Sequence, residues 1–299
     1  MVKFKVPGVC PSNLSGGPCG PPNPLAPRSR VAGAVFFAVA LTTTAALAQE
    51  TTTADRPRAP EGSRVINLPS AEVPAKGTLG VFFTHRFSQP LSDADFHSFF
   101  SFDSSAAIGI GVSYSPLDSL EVSLDRSSSE DDYELAAKYR FLPVAEGRPF
   151  ALALRVGGNA RSEKDVEDRY AFFAQGVASV AIGPRVRLTA IPTYVSNTPL
   201  FRDVFNVPLA ISIGITRTVN VQGEFYPKNS DFTESPGRRT HAGWLVALEK
   251  TVLRHRFAWT VGNLRATSVD QYTASDFGGG IPKGDVYIGF NLVRQWKLK

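Results

Sequence analysis

The chain has 299 residues, 43% of them hydrophobic, and a formal charge of +5. The excess charge sits at the front. Residues 1–48 hold Lys3, Lys5, Arg28 and Arg30 and no acid, which leaves 28 basic against 27 acidic residues behind them. So neutral a remainder gives no electrostatic case for a polyanion, and no nucleic-acid partner is expected. Cys10 and Cys19 lie in the same front segment, so the chain beyond residue 48 has no disulfide, thiol nucleophile or cysteine metal site. A mean hydropathy of −0.07 is unlike that of a helical membrane protein.

Arg28 and Arg30 precede the apolar run Val31–Leu41, which passes through Thr42-Thr43-Thr44 into Ala46-x-Ala48 before Gln49. A basic start, an apolar core and a small-residue cleavage pattern predict a secretory signal peptide, removed with the 1–48 leader. The run is too short to cross a bilayer as a helix. With no cysteine after it, lipoprotein anchoring is not expected. The Pro/Gly/Ser-rich stretch before Arg28 suits neither a leader nor a fold, and fits a start site set too far upstream. Gln49 to Lys76, rich in Thr, Pro, Arg and Glu, reads as an extended periplasmic tail.

From Gly77 the sequence alternates apolar and polar residues in short segments, the period-two signature of strands with unlike faces. The predicted strands, in order, are 77–87, 106–115, 119–127, 130–141, 149–159 and 169–182. They continue as 185–195, 207–217, 221–226, 241–251, 255–263 and 285–296. The connections after even strands are short. Those after odd strands are long and polar, apart from the one before Glu130. Twelve strands in an up-and-down meander, with both ends on the short-turn side, predict an all-β fold: a transmembrane antiparallel β-barrel over residues 77–299. A soluble β-sandwich or secreted barrel would not need connections of alternating length.

The two faces can be assigned from residue identity. Leu120, Val122 and Leu124 alternate with Glu121, Ser123 and Asp125, and Leu209, Ile211, Ile213 and Ile215 alternate with small or polar residues. Long charges mixed with Gly, Ala and Ser suit a crowded inner wall. Phe87, Tyr114, Phe141, Tyr170, Tyr194, Trp244 and Trp296 fall near strand ends, as interfacial girdles would. On this parity the lumen-facing charges are Arg86, Lys138, Arg140, Arg155, Arg187 and Arg256, against Glu121, Asp125, Glu134, Glu224 and Glu249. Near-balanced long side chains should pair across a modest lumen, which predicts a narrow or occluded channel and not a wide pore.

Catalysis has little support. His85, His241 and His255 lie at or near strand ends and His97 in a loop, and there is no Gly-x-Ser-x-Gly. His85, His97, Asp93 and Asp95 share one rim, but their spacing specifies no metal. Gly278-Gly279-Gly280 lacks the strand-to-helix setting of a phosphate loop and reads as a surface loop. No catalytic residue, cofactor or metal is expected.

Several segments together resemble an uncharacterised family of outer-membrane β-barrel proteins, a domain of unknown function. They are Arg64-Val65-Ile66-Asn67, Lys76-Gly77-Thr78-Leu79, Thr84-His85-Arg86-Phe87, Gly109-Ile110-Gly111-Val112-Ser113-Tyr114, Leu120–Ser127, Lys138-Tyr139-Arg140-Phe141 and Gly289-Phe290-Asn291-Leu292-Val293-Arg294. The resemblance spans Arg64 to Trp296 and assigns no reaction. The last strand is similar to the aromatic-ended signal read by barrel-insertion machinery, departing from it by the added Lys297-Leu298-Lys299. The expectation is a barrel in the bacterial outer membrane, its partners being outer-membrane lipid, that insertion machinery, and a small solute or a periplasmic protein. Its role would be passage or binding of a small solute. The alternative is a structural or partner-docking barrel.

Overall fold

The computed structural model describes residues 62–145, 148–162, 169–199, 203–229, 241–274 and 285–298. The predicted leader, residues 49–61 of the predicted tail and the Gly278–Gly280 run lie outside them. Alternation of Leu, Val, Ile and aromatics with Gly, Ala, Ser and charge forms strands, as such a pattern must when the two faces meet different surroundings. They are β1 (Thr78–Phe87), β2 (Ala106–Leu117), β3 (Leu120–Ser127), β4 (Asp132–Leu142), β5 (Phe150–Arg161) and β6 (Tyr170–Ile182). β7 consists of Val186–Ala190 and Thr193–Val195, and β8 of Val204–Asn206 and Leu209–Gly214. β9 (Val219–Tyr226), β10 (Gly243–Val252), β11 (His255–Gly262) and β12 (Tyr287–Lys297) complete the set.

Each strand pairs antiparallel with its neighbours in sequence. The sheet closes through β1 and β12, in register from Thr78 opposite Lys297 to Arg86 opposite Gly289. The result is a closed twelve-stranded barrel without free edges, the form that hydrocarbon requires of a spanning sheet. Gly289 makes the seam possible. A Cβ there would lie 2.3 Å from the His85 carbonyl oxygen and 2.8 Å from Arg86 Cδ.

β7 and β8 are each broken by a proline, and the two breaks adjoin. Proline has no N–H for the ladder, yet both carbonyls stay in it. Pro192 O accepts from Gly176 N at 2.9 Å, and Pro208 O accepts from Ile191 N at 2.9 Å. The pairing register is the same on both sides of the breaks. Consequently β8 starts at Val204, before the predicted Val207.

Burial is inverted relative to a soluble fold. Ile110, Leu135, Phe172 and Phe205 are exposed, Phe172 at 69%, while Arg86, Glu134, Lys138, Gln175 and Gln222 are buried. A continuous apolar outer belt around a polar interior defines a barrel that sits in lipid. Tyr114 and Phe141 near the short turns, and Tyr170 and Tyr194 near the long connections, lie exposed on that belt. Phe87 departs from the predicted girdle, because Phe102 of the 88–105 connection folds down edge-on against it, with ring centroids 5.1 Å apart.

The segment before β1 corrects the sequence expectation. Residues 62–76 do not form an extended tail, because Val65, Ile66, Leu68 and Ala71 are buried. These apolar side chains escape water by entering the barrel. After β11 the described residues 264–274 also turn inward and carry a short helix, α1 (Val269–Ala274), whose every residue is buried.

Candidate functional site

The lumen is the candidate site, and a hairpin fills its centre. Ser70 N donates to Ser63 O (3.0 Å) and Val65 N to Leu68 O (2.9 Å), and Arg64 pairs with Pro69. Pro69 holds the residue before it near extended backbone, which helps return the chain from the tip. The hairpin runs Ser63–Ser70, with Val65–Leu68 at its tip. Lys76 N bonds to Asp118 in the β2–β3 turn, so the segment leaves the barrel on the short-turn side.

Three backbone N–H groups at the tip have no partner within the hairpin and converge on one wall residue. Ile66, Asn67 and Leu68 donate to Glu224 Oε1 at 2.8, 2.9 and 2.8 Å. Tyr226 Oη donates to Glu224 Oε2 at 2.6 Å. A carboxylate that accepts several N–H bonds is an unusually strong anchor. Asn291 Nδ2 donates to Ile66 O, and Arg86 Nη2 to Asn67 Oδ1, each at 3.0 Å. Arg86 Nη1 donates in turn to Asn291 Oδ1 at 2.7 Å.

All eleven wall charges named from parity are directed inward, and their pairing has a pattern. Three ion pairs stay within the wall: Lys138 with Glu121 (3.0 Å), Arg256 with Glu249 (2.7 Å), and Arg155 with Glu134. The other five meet the inserted segment. Besides Glu224 and Arg86, Asp125 binds Arg64 at 2.5 Å. Arg140 and Arg187 hold the two oxygens of Glu72 at 3.0 and 2.8 Å. Lys138 adds a bond to Ser63 O at 2.8 Å. A buried charge without a partner is costly, so the wall encodes the hairpin as its counterpart. Gly111 clears the space for Asp125, since a Cβ there would lie 1.8 Å from Asp125 Oδ1.

From the other end, Glu134 Oε2 accepts from Val269 N (2.8 Å) at the start of α1, where a helix favours negative charge. Gln175 Nε2 donates to Tyr272 Oη at 3.1 Å. Arg161 reaches Asp270 at 3.3 Å, and Asn159 Nδ2 donates to Asp132 at 2.8 Å. Cavities of about 50 and 20 Å3 lie between hairpin and wall, enough for a few waters. Arg64, Glu72, Asp132, Arg161 and Asp270 were not foreseen from sequence. Inward parity at the ends of β4 and β5 would have found Asp132 and Arg161, whereas the other three lie outside any strand pattern.

The histidines are dispersed. His85 is on the outer wall, stacked on Phe290 at 5.1 Å and 5°. Among the described residues, none of the four histidines makes a side-chain hydrogen bond to a serine, and no three His, Cys, Asp or Glu side chains are grouped to hold a metal ion.

An apolar belt, a closed meander and a polar, filled interior together define the class: a membrane-bound β-barrel. Residues 61–296 match the family described as the membrane bound beta barrel domain (DUF5777), and the chain belongs to that family. No curated protein matches it in sequence. Similar solved structures include an outer-membrane channel from Pseudomonas putida F1, at 12% identity and TM-score 0.47, covering 75% of this chain and 97% of that one. The NanC porin is 9% identical with TM-score 0.46, covering 74% and 100%. Outer membrane phospholipase A from Escherichia coli is 11% identical with TM-score 0.42, covering 73% and 92%.

Proposed function

We propose that this protein is a non-enzymatic barrel of the bacterial outer membrane, short turns toward the periplasm, which passes small solutes when its hairpin withdraws. The observation that carries the reading is that five of the wall's eleven charges are partnered by a hairpin segment that leaves on the short-turn side, with Ser63 paired to Ser70 so that both limbs open the same way. A hairpin inserted from one end can leave by that end without breaking the barrel ladder. The wall left behind would keep its three internal ion pairs and expose the other five charges to water. Passage through it would suit small, polar molecules.

Planar-bilayer recording tests this. Intact protein should be nearly silent, and a variant lacking residues 62–70 should show ohmic steps many times larger. Equal conductance in the two would overturn gating by the hairpin. The close packing of hairpin and wall favours a second reading, a permanently filled structural or partner-docking barrel, and that equality is the result it requires.

A further inference from the structure

Glu72 is held as a bound ligand would be. Its carboxylate lies between guanidinium groups from β4 and β7, one oxygen on each: Oε2 with Arg140 Nη1 at 3.0 Å and Oε1 with Arg187 Nη1 at 2.8 Å. Arg140 is fixed independently of Glu72, because its Nη2 donates to the Asp118 carbonyl at 2.7 Å. The backbone of Arg187 is held in the β7 ladder, opposite Ser212. Both arginines are mostly buried, with side-chain exposures of 17% and 13%, while Glu72 keeps 26%. The arginines therefore belong to the rigid wall and the carboxylate to the movable segment.

The surroundings strengthen the asymmetry. Lys76, Arg148, Arg185, Arg217, Arg254 and Lys297 lie on the same short-turn side, with Asp118 as the acid among the described turn residues there. A mouth lined by one sign of charge concentrates the opposite ion. Two wall guanidinium groups that meet at one carboxylate favour a planar oxyanion over a neutral or cationic solute.

We infer that Arg140 and Arg187 form a binding subsite for small carboxylates on the short-turn side of the lumen, and that Glu72 occupies it as an internal surrogate while the hairpin is in place. The inference rests on the proposed passage for its physiological meaning but not for its chemistry. Solute and hairpin compete for one pair of cations, so a carboxylate arriving from the short-turn side would favour the withdrawn state.

Calorimetric titration of the purified full-length protein in detergent tests the subsite without reference to conduction. The probe is succinate, with neutral succinamide as its control. Glu72→Ala should raise succinate affinity at least tenfold over the native protein, and succinamide should show no such gain. Adding Arg187→Gln or Arg140→Gln to Glu72→Ala should abolish the gain, while unheated gel mobility confirms that each barrel is folded. Succinate binding that is unchanged by Glu72→Ala, or that survives loss of either arginine, would overturn the subsite. Tight binding by Glu72→Ala combined with a non-conducting 62–70 deletion would leave the subsite standing and refute only the passage.

Discussion

At the scale of single residues, the interior is organised by what each charge faces. Glu224 is the clearest case, since one carboxylate oxygen accepts three backbone N–H groups of the hairpin tip. Glu224→Ala would leave those donors buried without partners, at about 1–3 kcal/mol each. The hairpin should then detach while the barrel persists, read as trypsin cleavage after Arg64 in a protein with unchanged unheated gel mobility. Glu224→Gln keeps an acceptor oxygen and should expose Arg64 less. Lys138 and Glu121 test a different point, being a buried pair within the wall. Lys138→Met should lower stability by about 3–5 kcal/mol by stranding Glu121, and adding Glu121→Met should recover most of that. Thermal unfolding in detergent reads both.

At the scale of elements, the strands follow from the sequence because a period of two reports directly on two unlike environments. Leu120–Ser127 shows it plainly: Val122 and Leu124 are exposed on the belt and Glu121, Ser123 and Ser127 are buried in the lumen, with Arg126 the one polar residue on the outer face, over Tyr133. The eleven inward charges follow from the same parity. The hairpin does not, because its partners are remote. Ile66 and Glu224 are separated by 158 positions, and nothing local marks Val65-Ile66-Asn67-Leu68 as an insertion, in a segment whose Pro, Thr and Arg content resembles a tail. The inward turn of α1 is hidden in the same way, since Val269 and Tyr272 gain meaning only beside Glu134 and Gln175. The prolines of β7 and β8 fall inside the predicted strands 185–195 and 207–217, and the continuous register of the neighbouring strands carries the sheet across both breaks. At the seam, Gly289→Val would place a side chain against the His85 carbonyl. It should prevent closure, seen as loss of the compact band in unheated gels.

At the scale of the whole molecule, charge is distributed along the barrel axis. Basic residues lie on the short-turn side, whereas the connections at the opposite end carry Asp93, Asp95, Asp103, Glu130, Asp131, Asp203, Asp270 and Asp285 against Arg169, Lys228 and Arg265 among the described residues. Such an axial field acts on mobile ions. The current through the 62–70 deletion variant should therefore rectify at low salt and become symmetric near 1 M salt, where the Debye length falls to about 3 Å. Equal currents at both polarities in low salt would show that the field does not reach the lumen.

The β1–β12 seam also imposes an order of assembly. The cylinder cannot be stitched shut until Lys297 has been synthesised, whereas the hairpin was made before any strand. An unzipped, curved sheet offers the hairpin an open trough; a finished cylinder offers it only a mouth. Arg86 and Asn291 come from the two strands that meet at the seam, and both grip the hairpin tip. The hairpin tip thus bridges the first and last strands from inside the barrel.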